Sequence, residues 1–371
     1  MTAVSGTLVV KSRSRWRLVF LGLTKLLSFR TIKINNVLVT SFYFAIWVNI
    51  IGFARGENLS NVDFSLRLPA ALSRFSPYSD VAGAGGASIG SPYKTSLNPA
   101  ATDWDAAALY PFDVSPQYSA ILFDRGLTLH VASGAASWKT NDWGTLQPAV
   151  ALVRSVSGTS NSFTLLDGEY AQIQWGQKFT DQLAIGVNVN YTSLDTKMGS
   201  NGSILARNTD DTYDIRSGIL GTPLNHLLIG AVFDYAISPS TSVFPDFRCM
   251  CLSQLNDTTY QALVRSGVSF EYADKSSVLA DYQHGIFWNS TGTFSTDRVN
   301  FGIEHQILPW LYARVGVAYD LRGVVSPTAG IGIYPINNLS IDIAFQSNMF
   351  PELVPELGRS KLFSVSAALA F

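Results

Sequence analysis

Hydrophobic and polar residues alternate along most of this chain, and the alternation predicts β-strands. In residues 182–194, QLAIGVNVNYTSL, the odd positions from Leu183 to Tyr191 are apolar or aromatic. The even positions from Ala184 to Thr192 are small or polar. A period of two places these sets on opposite faces of an extended strand. The pattern recurs from about residue 112 onward and gives about fourteen strands.

Residues 361–371, KLFSVSAALAF, carry the same pattern. Phe363, Val365, Ala367, Leu369 and Phe371 share one face, which is apolar. A terminal strand of this kind needs a partner that buries its outer face, and lipid is one candidate. We expect it to be the strand that closes a membrane barrel, with Phe371 in the aromatic girdle at the membrane interface.

The connections between the predicted strands alternate in length. Short turns such as 179–182 and 308–310 alternate with three longer segments, 195–211, 238–259 and 347–360. Outer-membrane barrels combine short periplasmic turns with long extracellular loops. The predicted fold is therefore all-β, a transmembrane antiparallel β-barrel of about fourteen strands. A soluble β-sandwich is the alternative, but its exterior should carry more charge.

The composition supports a lipid-facing surface. Charged residues make up 14% of the chain, whereas soluble domains carry about 25%. Beyond the N-terminal region, no apolar run reaches the roughly 20 residues of a spanning helix. The formal net charge is -1, and no basic stripe with interleaved aromatic residues is present, so a nucleic-acid partner is not expected.

The N-terminal region predicts an exported protein. Seven basic residues from Lys11 to Lys33 precede the apolar stretch 37–53, and small residues follow at 54–56. This order is typical of a signal peptide, and we expect residues 1–56 to be one, cleaved near Gly56. An uncleaved membrane anchor is the alternative.

Residues 57–106 are predicted to form a hatch inside the barrel. About fourteen strands enclose a lumen that lining side chains alone cannot fill, since about eight strands already leave room only for those or one small ligand. The segment can form a short helix at Leu68–Phe75, and Gly85 and Gly86 permit close backbone packing. Asn98 and Pro99 favour a turn. A disordered tail is the alternative, but the composition is apolar and poor in charge.

Two motifs resemble a known family. AGAGGASIGSPYKTSLNPAA, residues 82–101, is similar to the N-terminal signature of the FadL-type outer-membrane transporters. The segments GIGIYPINNLSIDIAFQSN and LGRSKLFSVSAALAF resemble the last strands of that superfamily, which includes shuttle proteins of type IX secretion. The resemblance implies a fourteen-stranded barrel with an N-terminal hatch and transport of fatty acids or other hydrophobic compounds. It also implies an interrupted third strand. Pro148 is the candidate for that gate, because proline cannot donate to the ladder and marks a strand end, a bulge or a gap. A proline at the first turn of the strand is the alternative.

Several residues are candidates for function. Arg265 and Arg314 are predicted to face the lumen, where each could bind the carboxylate of an amphipathic ligand or pair with acidic residues to fix the hatch. Phe244 and Phe247 lie in an apolar loop segment that could capture a hydrophobic substrate or could equally be a packed lid. The predicted inward-facing polar set is Gln172, Gln174, Asn188, Asn190, Asp234, Arg265, Glu271, Asp281, Glu304, Arg314, Asp320 and Asp342.

The sequence thus predicts passive uptake of hydrophobic or amphipathic small molecules across the bacterial outer membrane. Expected partners are membrane lipid and a hydrophobic ligand, with no cofactor and no metal site. None of the four histidines lies in a recognisable nucleophile motif, so no enzyme is expected. Alternatives are a barrel that anchors or hands over secreted proteins, and a general porin. An apolar pocket between hatch and wall would favour the transporter over the shuttle, and a wide polar channel would indicate a porin.

Overall fold

The computed structural model describes residues 64–72, 87–88, 97–104, 111–140, 143–157, 162–200, 203–246, 251–336 and 338–371. The predicted signal peptide and much of the predicted hatch, including Gly85 and Gly86, lie outside these residues. In the described part of the chain there are fourteen strands. They are β1 Phe112–Phe123, β2 Leu127–Thr140, β3 Gly144–Ser157, β4 Ser162–Thr180, β5 Leu183–Ser200, β6 Ser203–Leu224, β7 Leu227–Asp246, β8 Cys251–Ala273, β9 Ser276–Trp288, β10 Thr293–Leu308, β11 Leu311–Asp320, β12 Val324–Ile336, β13 Leu339–Ser347 and β14 Ser360–Ala370.

The strands form one closed antiparallel barrel. Each strand pairs with its neighbours in sequence, and β1 pairs with β14 from Asp113↔Ala370 to Phe123↔Ser360. The backbone N–H of Phe371 donates to the carbonyl of Phe112 at 2.8 Å, and the centroids of these two rings lie 6.1 Å apart. The prediction that the last strand closes a barrel of about fourteen strands is confirmed.

The barrel has two ends that differ in their connections. At the turn end, where β1 begins and β14 ends, strands are joined by short turns such as 181–182 and 274–275. At the loop end lie the other connections, among them 124–126, 289–292 and 348–359. The last of these, between β13 and β14, contains the 3₁₀ helix Pro351–Leu353 and α2 Val354–Leu357.

The alternation predicted from the sequence separates two faces of the wall. In β5, Val187 and Val189 are exposed on the outer face, whereas Asn188 and Asn190 are buried on the inner face. The inner face is lined by polar side chains, as predicted for the inward set. Glu271, on the same face of β8 as Arg265 and Ser269, is only half-buried because it lies beside the turn at His226. An apolar outer face and a polar lumen are the arrangement of a membrane barrel.

Two of the three predicted long loops are wrong. Segments 195–211 and 238–259 continue the strands, because β5 runs to Ser200 before β6 begins at Ser203, and β7 runs to Asp246 before β8 begins at Cys251. Polar residues and glycine in these segments resemble turn signals. The backbone pairing continues nevertheless, from Asp195↔Thr209 to Ser200↔Ser203 in the first hairpin.

An N-terminal helix also differs from its predicted bounds. Helix α1 spans Phe64–Leu72, so it begins before Leu68 and ends before Phe75. Further along, a 3₁₀ helix spans Pro99–Asp103, next to the Asn-Pro turn predicted there. No helix within the described ranges is long and apolar enough to span a membrane.

Candidate ligand-binding site

A row of glycines on the inner wall receives the Asn-Pro-Ala motif. Gly176, Gly186 and Gly218 are paired consecutively across β4, β5 and β6 near the turn end. A Cβ on Gly186 would lie 2.3 Å from the carbonyl carbon of Pro99, and one on Gly218 would lie 2.2 Å from Oδ1 of Asn98. Only glycine permits such a close backbone approach. The motif is therefore seated directly on the wall.

Hydrogen bonds fix this motif in place. Oδ1 of Asn98 accepts from the backbone N–H of Ala100 at 3.0 Å and caps the 3₁₀ helix, while its Nδ2 donates to the carbonyl of Ile219 at 3.1 Å. Asp103 accepts from the hydroxyl of Thr145 and from the backbone N–H of Lys178, each at 2.8 Å. Both ends of the 3₁₀ helix are thus attached to the barrel.

Helix α1 lies against inward-facing side chains at the loop end. Leu66 and Ala70 pack with Leu263, Phe287 and Phe294 of β8, β9 and β10. The opposite face of the helix joins a second apolar cluster on the far side of the lumen, to which it contributes Leu68 and Ala71. That cluster also contains Ile121, Phe123, Leu127, Leu129, Val131, Ala151, Leu166, Leu194, Ala344, Met349, Phe350, Leu353, Leu357 and Leu362. The helix therefore bridges the lumen.

The β13–β14 connection covers the loop end and is tied to α1 through Arg67. This guanidinium forms a two-pronged ion pair with Glu356 and donates to the carbonyl of Glu352 at 2.8 Å. The Arg67 side chain is 4% exposed, and that of Glu356 is 29% exposed. We call residues 348–359 the lid. Its apolar residues Met349, Phe350 and Leu353 are buried in the cluster that α1 joins.

Two further arginines hold the lid to the wall. Arg125, in the β1–β2 turn, donates to the carbonyls of Pro355 and Glu356 at 2.7 and 2.8 Å. Arg322, in the β11–β12 turn, pairs with Asp320 and Glu352. Burial alone would lower the pKa of Arg322, but these two carboxylates outweigh it and raise the pKa, so the guanidinium stays charged.

A cavity of about 330 Å³ lies between α1, the lid and the wall. Its lining is mostly apolar, and the polar groups around it come from Arg125, Thr196 and Glu356. The apolar lining consists of Phe64, Leu68, Leu127, Leu166, Met198, Pro355 and Leu357. A mostly apolar cavity with a few polar groups is the usual form of a small-molecule site.

The chain is similar in fold to several solved structures. The Ralstonia pickettii toluene transporter TbuX shares 13% identity, with a TM-score of 0.54 over 80% of this chain and 98% of that one. The CymD monoaromatic hydrocarbon channel shares 14% identity, with a TM-score of 0.52 over 80% and 97%. A Pseudomonas aeruginosa FadL homologue shares 12% identity, with a TM-score of 0.52 over 80% and 99%.

The chain has the FadL-type fold. The resemblance predicted from the two terminal motifs is thus supported by the whole barrel. No protein-family model matches the chain, and no curated protein matches it in sequence. Identities of 12–14% establish the FadL-type fold alone.

Arg265 and Arg314 face the lumen of the FadL-type barrel but do not line the cavity. Arg314 pairs with Glu304 and Asp342, and Gly332 opposite leaves room for its guanidinium. Arg265 lies 3.7 Å from Asp234, which Arg216 also contacts at 3.0 Å. Buried charges need such partners. These contacts agree with pairing across the inner wall, whereas a role in ligand binding stays a prediction.

The other predicted site residues are spread over the barrel. Phe244 lies in β7 and is exposed, away from the cavity, while Phe247 lies outside the described residues. Sequence reasoning missed Arg67, Arg125 and Glu356, whose long separations in sequence gave no local signal.

Two prolines interrupt the hydrogen-bonded ladder near the turn end. Pro148 pairs with Ile173 of β4, but the β2–β3 pairing omits it. Pro116, which sequence reasoning did not single out, lies at a similar omission between β1 and β14. Proline has no N–H to donate. β3 nevertheless runs unbroken from Gly144 to Ser157, so the gate role of Pro148 remains a prediction.

Proposed function

We propose that this protein is a passive channel for hydrophobic small molecules in the bacterial outer membrane. The cavity between α1, the lid and the wall carries the proposal. It is large enough for a small organic ligand and mostly apolar, and it lies at the loop end, which faces outward in barrels of this kind. A hydrophobic molecule would enter it because burial removes apolar surface from water.

The outer face of the barrel supports a membrane location. Large apolar side chains are exposed along it, among them Leu152, Ile173, Ile215, Phe233 and Val315. A contiguous apolar surface of this extent is rare on soluble monomers and is expected where a wall contacts lipid.

The similar structures support the substrate class. TbuX is described as a toluene transporter and CymD as a monoaromatic hydrocarbon channel. For this chain we propose hydrophobic or amphipathic molecules, with fatty acids and aromatic hydrocarbons as candidate substrates. The cavity has one guanidinium at its lining, from Arg125, and that group could meet the carboxylate of a fatty acid.

The proposed route has three steps. The lid moves away from Arg67 and Arg125, and the substrate enters the cavity. The N-terminal segments, which we propose form a hatch from residues 57 to 106, then shift from the glycine row. The substrate leaves inward through the lumen, or sideways through the wall near Pro148. No step requires an energy source, a cofactor or catalysis.

The two alternatives make different demands on the lumen. A shuttle for secreted proteins needs no apolar cavity beneath its lid, and a general porin needs an open polar path. The apolar cavity favours transport of hydrophobic molecules over both.

The test narrows the cavity without disturbing the core. Met198 lines the cavity and is 39% exposed, so Met198→Trp adds bulk at its margin. Ile204→Trp is the matched control, because Ile204 lies in the same hairpin, is 58% exposed and does not line the cavity. Uptake of radiolabelled toluene and oleate into proteoliposomes should fall for Met198→Trp alone. Conductance of sugars and salts with no hydrophobic uptake by the unaltered protein would refute the proposal.

A further inference from the structure

A second concave surface lies on the outer side of the β7–β8 hairpin, away from the lumen. We call it the polar groove. Its volume is about 660 Å³. Its lining comes from both strands of that hairpin and from the β9–β10 connection. The lining residues are Pro239, Ser240, Thr241, Gln254, Asn256, Asp257, Thr258, Tyr260, Trp288, Asn289 and Ser290.

The polar groove begins where the apolar outer wall stops. On the same face of these strands, Phe233, Ile237 and Ile286 are exposed and apolar toward the turn end. Toward the loop end the outward positions become Thr241 of β7 and Thr258 of β8. The groove therefore lies at the boundary between the apolar wall and the aqueous side.

Two aromatic rings form its floor at that boundary. Tyr260 and Trp288 are paired across β8 and β9, with centroids 5.7 Å apart and planes inclined by 16°. Tyr191, Tyr213 and Ile237 continue the same register row across β5, β6 and β7. Tyrosine and tryptophan favour positions that are apolar on one side and wet on the other.

Above the rings, the groove presents hydrogen-bonding groups. Oδ1 of Asn256 accepts from Thr241 at 3.2 Å and from Gln254 at 3.1 Å, which directs its Nδ2 donors elsewhere. Nδ2 of Asn256, Oε1 of Gln254 and the hydroxyl of Thr258 have no hydrogen-bond partner among the described residues. Donors and acceptors thus stand together beside an aromatic surface.

The charge of the groove restricts its ligand. Among the residues that the structure describes, no lysine or arginine lines it, and its one carboxylate, on Asp257, accepts from the hydroxyl of Ser290 at 2.9 Å. A phosphate or carboxylate ligand would meet an uncompensated negative charge there. The β5–β6 hairpin differs, since Asp195, Lys197 and Arg207 pair on its outer face.

We propose that the polar groove binds an uncharged sugar unit. The hydroxyls of the sugar would bond to the amides of Asn256 and Gln254 and to Thr258, and an apolar face of the ring would rest on Tyr260 and Trp288. The sugar could belong to the head group of a glycolipid in the adjacent leaflet or to a free oligosaccharide. The first source depends on the proposed membrane location, while sugar binding itself does not.

The experiment separates these sources. The full chain is placed in nanodiscs of phosphatidylethanolamine with or without a glucosyl diacylglycerol, and lipid retained by the protein is measured by native mass spectrometry. In the second arm, maltose is titrated into the protein in nanodiscs of phosphatidylethanolamine alone. Trp288→Leu and Asn256→Leu should each weaken binding about tenfold, the effect of losing one good contact. Tyr213→Leu, in the same register row but outside the groove, should not.

Enriched glycolipid that depends on Trp288 and Asn256 would support the lipid source, and maltose binding with the same dependence would support the soluble source. Absence of both would overturn the proposal, as would equal retention by the variants and the control. Hydrophobic uptake, measured in proteoliposomes of the same variants, should stay unchanged. A failure of sugar binding is therefore distinguishable from a failure of the channel proposal.

Discussion

The seat of the Asn-Pro-Ala motif on the glycine row can be tested with one methyl group. Gly186→Ala would place a Cβ 2.3 to 2.5 Å from backbone atoms of Pro99 and Ala100, whereas ordinary contacts are 3.4 to 4 Å. These are backbone atoms, so they cannot avoid the new Cβ by rotating about a side-chain bond. The 3₁₀ helix must therefore move off the wall by about an ångström, the difference between these distances.

The magnitude follows from overpacking and a lost hydrogen bond. Overpacking of a tight contact costs about 1–3 kcal/mol. The bond from Asn98 to the carbonyl of Ile219, 3.1 Å long, would stretch and contribute less. A loss of about 2 kcal/mol in docking free energy raises the detached population roughly 30-fold, at about 1.4 kcal/mol per factor of ten.

Hydrogen exchange measures that population directly. The backbone N–H groups of Ala100, Ala101 and Trp104 are all bonded within the docked segment. Their exchange, followed by mass spectrometry on the protein in nanodiscs, should accelerate roughly in proportion to the detached population. Gly134→Ala is the control, because a Cβ there meets nothing within 4 Å. Unchanged exchange in Gly186→Ala, or equal acceleration in both variants, would refute the reasoning.

Three other substitutions test the remaining parts of the proposed route. Glu356→Gln removes the charge that Arg67 binds, so added protease should cut the lid several-fold faster. An unchanged cleavage rate would mean that the Arg67–Glu356 ion pair does not hold the lid in place. Pro148→Val supplies the missing donor, so toluene uptake should slow if substrate leaves sideways there and stay constant otherwise. Leu166→Ala enlarges the cavity and lowers the free energy of unfolding by about 2–5 kcal/mol. The ratio of naphthalene to toluene uptake should rise, and a constant ratio would place the site elsewhere.

The barrel itself was predictable because its wall is apolar on the outer face and polar on the inner face, and this difference leaves a period-two pattern in the sequence. Val187 and Val189 contact the outside, Asn188 and Asn190 the lumen, and a single residue of register shift would exchange them. The same rule identified the closing strand from Phe363 and its neighbours. Strand number and closure follow from local periodicity.

The pattern fails where the outer residues are no longer apolar. Beyond Tyr191 and Tyr213 the β5–β6 hairpin carries charged residues on its outer face, so its strands were mistaken for a loop. Cross-strand backbone pairing and ion pairs between Asp195, Lys197 and Arg207 hold these strands together instead. Hydrophobic periodicity reports the environment of a strand and only indirectly the strand itself.

The site was harder to predict, because its parts meet only in the closed barrel. Gly176, Gly186 and Gly218 lie far apart in sequence, and each alone resembles an ordinary strand glycine. Arg67 reaches Glu356 across 289 positions. Asn98 and Pro99 were singled out as a turn, and in the structure they begin a 3₁₀ helix, but their partner surface could not be inferred from one segment.

In the proposed route, the lid and the segment docked on the glycine row close the lumen at opposite ends, so they should act in series. Release of one alone leaves flux limited by the other, whereas release of both removes each barrier. The double variant Glu356→Gln/Gly186→Ala should therefore raise toluene uptake into proteoliposomes by more than the product of the two single effects, a positive coupling between sites that share no contact. Distant sites that act independently give additive free energies, hence multiplied rates. Effects that simply multiply would mean that one closure controls passage and that the other serves only to stabilise the fold.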